Sequence, residues 1–391
     1  MRRRRLLVVI AVLSLGLAGV FGAAWSEWYA HRDFSSLYHG ARLVGRIDVY
    51  DQVAWCREAR GTVFGAIDPA GREACPAVFL YPLWTAVVLL PLGLLPLEAA
   101  ASLWCALSIA AVVLGARYCW LAVRGPSRTA PLFVALVFGS QPFWLMLAAG
   151  QLGGGLLLAA GAAAWLLSRG REGAAGATLV MLAIKPHVLG LAAAGLVARA
   201  LATRSRPFLL GALGGTAGLL LVSLPFLPSW PVEWARESFT RQTGYAPSLA
   251  TAWGMAAHDM GNVTYAPLLI VLVAVASVAL AHGIPRDGVA FMALAIPLSL
   301  FATPYAWSYD FIVLALPWAF VLARAHGAHD AIRRVLTAAL VLVASLLPWS
   351  LYMLAFARGA ETLSALIPAM TALLVGATLH LTSQHGLARA A

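Results

Sequence analysis

Long apolar runs separated by short polar breaks fill almost the whole chain. They lie near 6–24, 80–97, 99–122, 131–149, 152–168, 174–197, 208–228, 265–282, 289–304, 309–323, 335–356 and 362–381. About twelve runs near the length of a bilayer crossing predict an all-α, polytopic membrane protein. Some, notably 309–323, are short and suit tilted or partly re-entrant helices. Pro91, Pro96, Pro186, Pro297 and Pro317 interrupt the runs; lipid tolerates such breaks where neighbours or a cavity satisfy the freed carbonyls. Two polar stretches, 25–82 and 229–264, stand apart from the pattern. No internal repeat is visible, so residues 1–391 are expected to form one membrane domain with these two stretches as its long loops.

The first polar stretch carries seven of the sixteen acidic residues: Glu27, Asp33, Asp48, Asp51, Glu58, Asp68 and Glu73. Inside it, Phe34, Leu37, Tyr38, Ala41 and Val44 recur at helical spacing, with Ser35, Ser36, His39, Arg42 and Arg46 opposite. That pattern predicts a short amphipathic helix lying at the membrane surface. Asp33 heads it, which is the position of an N-cap. It is also the position of a carboxylate held at the bilayer edge, free for chemistry only if it does not bond the helix amides. Both roles are open from spacing alone.

Composition strengthens the membrane class. The chain has 391 residues, 61% hydrophobic and 11% charged, with a mean hydropathy of +0.83, against roughly a quarter charged in soluble domains. The net charge of +11 does not point to nucleic acid. The cations occur as short clusters between apolar runs, as membrane topology requires, and no basic face with interleaved aromatics is present. Arg2 to Arg5 place the N-terminus in the cytoplasm, ahead of an apolar signal-anchor, and twelve crossings return the C-terminus there. Both long loops then share the external face. Arg124, Arg128, Arg169 and Arg171 fit that count poorly, so one early segment is expected to be re-entrant. Cys56 and Cys75, both in the first loop, either pair in an oxidising compartment or remain free thiols. Searches for a P-loop, GxSxG, HExxH or GxGxxG motif are empty, and no metal or cofactor is implied.

Lys185 is the only lysine, against twenty-six arginines, and it sits deep in ATLVMLAIKPHVLGLAAAGL. An ammonium at that depth is expensive and marks a functional site by default, unless it snorkels to an interface. Pro186 should break the helix beside it, leaving a compact cation suited to phosphate. His187 follows directly. Gln151, in LAAGQLGGG, can bond across helices or belong to a small-residue packing turn. FATPYAWSYDFIVLALP places Tyr305, Tyr309 and Asp310 together, with helix capping a role open to Asp310.

Four stretches in order, RDFSSLYHGARLVGRIDVYD, FLYPLWTAVVLLPLGLLP, AAGQLGGGLLLAAGAAAWLLSRGREGAAGATLVMLAIKPHVL and FATPYAWSYDFIVLALP, resemble glycosyltransferase family 87, the polyprenyl-phosphate-sugar-dependent group of the GT-C superfamily. The resemblance implies a GT-C-type bundle with a catalytic Asp in the first external loop, here Asp33. It implies a polyprenyl-phosphate sugar as donor, mannose or another hexose or pentose, and a glycan or glycolipid acceptor in the cell envelope. Lys185 matches the family's Lys-Pro and, with Arg32 or Arg42, is expected to neutralise charge on the donor phosphate. Gln151, His187, Tyr305, Tyr309 and Asp310 are then expected to line the substrate pocket, and Glu233, Trp234 and Trp253 to meet the acceptor. The chain departs from the family pattern where Tyr81, Pro82 and Leu83 replace Tyr-Pro-Pro and where TPYAWSYD puts Tyr309 in place of a His. A transporter or flippase of a lipid-linked sugar is the competing function, and it predicts an internal duplication that is absent.

Overall fold

The computed structural model describes residues 33–59, 79–242, 248–281 and 287–388. Among them the chain is helical, with one isolated bridge between Val44 and Ile47 and no strand. The signal-anchor, Arg2 to Arg5, Arg32 and Cys75 lie outside the described residues. Cys56 is disulfide-bonded, and Cys105 and Cys119 are free and buried.

The chain divides into two compact units. The first comprises Met1–Val113, Leu147–Leu152 and Thr216–Arg241. Its centre is the helix Asp33–Leu43 packed on the helix Leu83–Gly93. The predicted apolar positions Phe34, Leu37, Tyr38 and Ala41 are buried as expected. The predicted polar face is only partly a surface: Arg42 and Arg46 are exposed, but Ser35 and His39 are buried. Close approach depends on Gly93, where a Cβ would lie 2.6 Å from the amide nitrogen of Arg42. The Tyr38 hydroxyl donates to the carbonyl of Leu95 at 2.8 Å and accepts from Arg42 Nη1 at 3.1 Å, tying the far end of the helix down.

The second unit comprises Leu114–Met146, Gly153–Gly215 and Gln242–Ala391. Its core is the run Ser308–His326, a tight 3₁₀ turn leading into an α-helix, whose apolar window is 83% buried. The helices Gly153–Ser168 and Gly288–Ala302 pack against it. Gly288–Ala302 also contacts Pro186–Ala202, where Ser299 Oγ donates to the carbonyl of Val188 at 2.9 Å. Leu366–Ala388 packs on Gly288–Ala302 and on Tyr265–Ala281. By contrast the window of Asp330–Arg358 is only 28% buried, and Leu268, Leu272, Met353 and Phe356 stand exposed. Apolar side chains in such number on helix exteriors belong against lipid tails. The protein is a multi-pass membrane protein.

Among the described residues the apolar runs form helices of different lengths. Five described helices are long and apolar enough to cross, or six if the pair Ala130–Gly139 and Gln141–Ala149, bent by 49°, is one span. The other described runs fold into helices of 10–17 residues. The reason is local. The run 174–197 stops at Leu182 and restarts with Pro186 as the first helical residue, because proline has no N–H for an interior position but suits a helix start. The run 131–149 breaks at Ser140, whose backbone is extended.

His39 generates a test of the first unit. It is 2% exposed, with its ring edge-on to Tyr38 and Trp55. Burial, and then the Arg42 guanidinium, lower its pKa from 6.5 to about 4. The unfolded chain therefore binds this proton first, so stability present above about pH 6.5 is lost as pH falls towards 4. A difference of that size corresponds to about 3 kcal/mol. Melting temperature in detergent should fall across this window, and the fall should flatten in His39→Gln. An unchanged acid profile in the variant would contradict the assignment.

Candidate active site

The expected site residues fall into two groups, one in each unit. In the first, Asp33 is the first residue of its helix. Its carboxylate accepts from Gln151 Nε2 through Oδ2 at 2.6 Å. Among the described residues it accepts from no amide of its own helix, so the capping role does not hold. Gln151 is 3% exposed. It follows Gly150, whose φ of +68° ends the preceding helix in the left-handed region. The Gly150 carbonyl accepts from Trp104 Nε1 at 2.8 Å, and the Trp104 ring stacks on Phe34 at 5.9 Å. Tyr81 donates its hydroxyl to Gln151 Oε1 at 3.2 Å, and its own carbonyl accepts from the Tyr50 hydroxyl at 2.7 Å.

Arg42 is not beside Asp33. Nine residues along one helix separate them by about 13 Å, and Arg42 is engaged with Tyr38. An acidic pair also lies in this unit. The carboxyls of Asp48 and Glu233 interact. The Asp48 carboxyl is held above the usual range by burial and by the Glu233 carboxyl, against the amide of Tyr50, which works to lower it. Trp234 donates Nε1 to the carbonyl of Leu80 at 3.0 Å.

In the second unit Lys185 has not snorkelled to an interface. It is 2% exposed, sits in the break between Glu172–Leu182 and Pro186–Ala202, and donates to Asp310 Oδ1 at 2.8 Å. Its ammonium lies 4.9 Å from the centre of the Tyr309 ring. Asp310 also caps its own turn, accepting from the amide of Trp307 through Oδ2 at 3.3 Å. The expected capping role is thus present, together with an ion pair that spacing did not indicate. Tyr305 accepts from Trp307 Nε1 at 3.2 Å, and His187 meets the Tyr305 ring edge-on at 5.2 Å. His187 Nε2 is buried and has no hydrogen-bond partner among the described residues. Trp253 donates to the carbonyl of Ala302 at 2.8 Å, which fixes its indole within its own unit.

Two contributors escaped the sequence. Tyr81 stood in the motif FLYP without a role. Glu361, the one acid in GAETLSALIP, accepts from the amide of Ser308 at 3.0 Å, while Gln141 Nε2 donates to Ser308 Oγ at 2.9 Å. Burial, and with it the charge of Asp310, raises the Glu361 carboxyl, and the Ser308 amide and hydroxyl oppose that. Among the described residues no group of three or more His, Cys, Asp or Glu is placed to hold a metal ion.

The sequence profile of glycosyltransferase family 87 matches residues 79–347. The chain belongs to glycosyltransferase family 87. As a member it is a membrane glycosyltransferase, which uses a sugar donor and an acceptor. The family match contains Tyr81, Gln151, Lys185, His187, Tyr305, Tyr309 and Asp310, and begins downstream of Asp33. No curated protein matches the chain.

The Lys185–Asp310 pair gives a stability prediction for this family 87 chain. Removing one partner of a buried ion pair leaves an uncompensated charge and costs roughly 3–5 kcal/mol, whereas replacing both with apolar groups is often neutral or better. Asp310→Leu should lower the melting temperature markedly, and Lys185→Met with Asp310→Leu should recover most of the loss. A double variant as unstable as Asp310→Leu alone would argue against the pair.

Proposed function

We propose that this glycosyltransferase takes its sugar from a polyprenyl phosphate and passes it to a hydroxyl of a cell-envelope glycan or glycolipid. The sugar is mannose or another hexose or pentose. The fold is of GT-C type and resides in the bacterial plasma membrane, with both termini cytoplasmic and the reaction on the external face, as the arginine clusters favour.

In this scheme Asp33 takes the proton from the acceptor hydroxyl. The acceptor oxygen bonds to the anomeric carbon as the bond from that carbon to the phosphate oxygen breaks. The electron pair leaves with the polyprenyl phosphate, and the configuration inverts. Lys185 offsets the charge growing on that phosphate. Arg32 is a further donor-phosphate candidate, and Arg42 a weaker one given its bond to Tyr38.

The observation that carries the scheme is the Asp33 carboxylate, held by a neutral amide donor and not spent on capping. A carboxylate so placed keeps an oxygen for a proton, and a positioned base contributes roughly 10²–10⁴-fold. Lys185 supports the donor assignment. An ammonium has three N–H donors, and among the described residues only Asp310 accepts from this one, which leaves donors for a phosphate.

The test is transfer by purified protein from synthetic polyprenyl-phosphate sugars to octyl glycosides, with nucleotide sugars in parallel. Transfer should occur from the lipid-linked donor alone, and Asp33→Asn should lower kcat by about 10²–10⁴-fold. Equal rates for wild type and Asp33→Asn would remove the base. Transfer from the nucleotide sugar alone would remove the donor assignment. Lys185→Met should weaken donor binding at least about tenfold, as loss of a charge-assisted phosphate contact requires.

A further inference from the structure

We infer that Gln151 and Tyr81 are positioning residues for Asp33, forming a Tyr81–Gln151–Asp33 relay that commits one carboxylate oxygen to the scaffold and leaves the other to take the acceptor proton. The inference rests on the proposed role of Asp33 as base and adds two residues to it.

The relay has a direction fixed by hydrogen-bond chemistry. A glutamine amide has a donating end and an accepting end. An ionised carboxylate only accepts, so the NH₂ end must face Asp33, at 2.6 Å from Oδ2. The Oε1 end then needs a donor, and the Tyr81 hydroxyl supplies it at 3.2 Å. Turning the amide over would set Oε1 against the carboxylate, two acceptors in contact. The carboxylate thereby selects the amide orientation, and the Tyr81 hydroxyl satisfies the oxygen turned away from it.

Each member is held from behind. Gln151 is displayed by the left-handed Gly150, whose carbonyl Trp104 pins. The same Trp104 ring stacks on Phe34, the residue after Asp33, so one indole fixes both ends of the Gln151–Asp33 bond. Tyr81 is anchored through its carbonyl by the buried Tyr50 hydroxyl, and its ring packs at 5.5 Å on Phe79. Pro82 follows and starts the next helix, which removes backbone freedom on that side. Oδ1 of Asp33 has no hydrogen-bond partner among the described residues, and this is the oxygen assigned to the proton. The effect of the relay is geometric: through its two hydrogen bonds it sets the rotamer of the base.

Steady-state kinetics with a synthetic polyprenyl-phosphate sugar and an octyl glycoside acceptor tests this, using Gln151→Leu, Tyr81→Phe and Asp33→Asn singly and Gln151→Leu combined with Asp33→Asn. A misplaced base should cost about 10²-fold in kcat for Gln151→Leu, with both KM values within about twofold. Tyr81→Phe, which deletes only a hydroxyl, should cost less, about threefold to tenfold. Residues acting as a unit are non-additive, so Gln151→Leu should not slow Asp33→Asn further. Three outcomes overturn the relay while leaving Asp33 as base: wild-type kcat in Gln151→Leu, a raised KM with unchanged kcat, or an equal drop in the Asp33→Asn background. Full activity of Asp33→Asn itself overturns the base and the relay together.

Discussion

A helix that stops inside an apolar chain strands its last carbonyls and the first amides of its successor, and lipid offers them no water. That constraint shapes both units. Such interruptions survive only where side chains or a turn satisfy the freed groups. Gly150 and Gln151 occupy one, between Ala149 and Gly153; Lys185 occupies another, between Leu182 and Pro186; Tyr305 and Trp307 lie in a third, after Ala302. Trp104 satisfies the Gly150 carbonyl and Asp310 the Trp307 amide. The residues with the most chemical potential are therefore those at the breaks, where side chains can project from chain ends rather than from a continuous helix.

Charge obeys the same economy. Within the second unit the single lysine is paired with Asp310 and set over an aromatic ring, which makes an ammonium tolerable at 2% exposure. Asp310 does two jobs through its two oxygens, one for Lys185 and one for its own turn. In the first unit Asp33 divides its oxygens differently, with one bound by an amide and one without a hydrogen-bond partner among the described residues. An ion pair suits a residue that must hold position in a dry core. A neutral donor suits a carboxylate that must still accept a proton. In the proposed reaction these are the needs of a phosphate-side cation and a base.

Much of this was legible along the chain because it is local. Apolar run length gave the all-helical membrane class, and Pro186 marked the break beside Lys185. Asp33 was legible as a candidate but not decided, since a helix-initial aspartate reads equally as a cap. Its partner Gln151 is 118 residues away, and the Asp310 partner of Lys185 is 125 residues away. Side-chain periodicity carries no information about pairings at such separations. The same blindness explains the helix at Asp33, where Ser35 and His39 looked solvent-facing until the surrounding helices covered them. Run length also did not show where helices break, because hydropathy does not register the turns at Ser140 and Lys185 that divide one apolar run into two helices. Tyr81 and Glu361 were missed because each has a role only through a distant partner.

A base and a nucleophile are both carboxylates, and only the product separates them. If Asp33 removes a proton while the acceptor attacks directly, one displacement takes place at the anomeric carbon. The decisive measurement is the anomeric configuration of the first product formed from a polyprenyl-phosphate sugar of defined anomer, read by NMR before any equilibration. The mechanism requires inversion, and a product of retained configuration would contradict it.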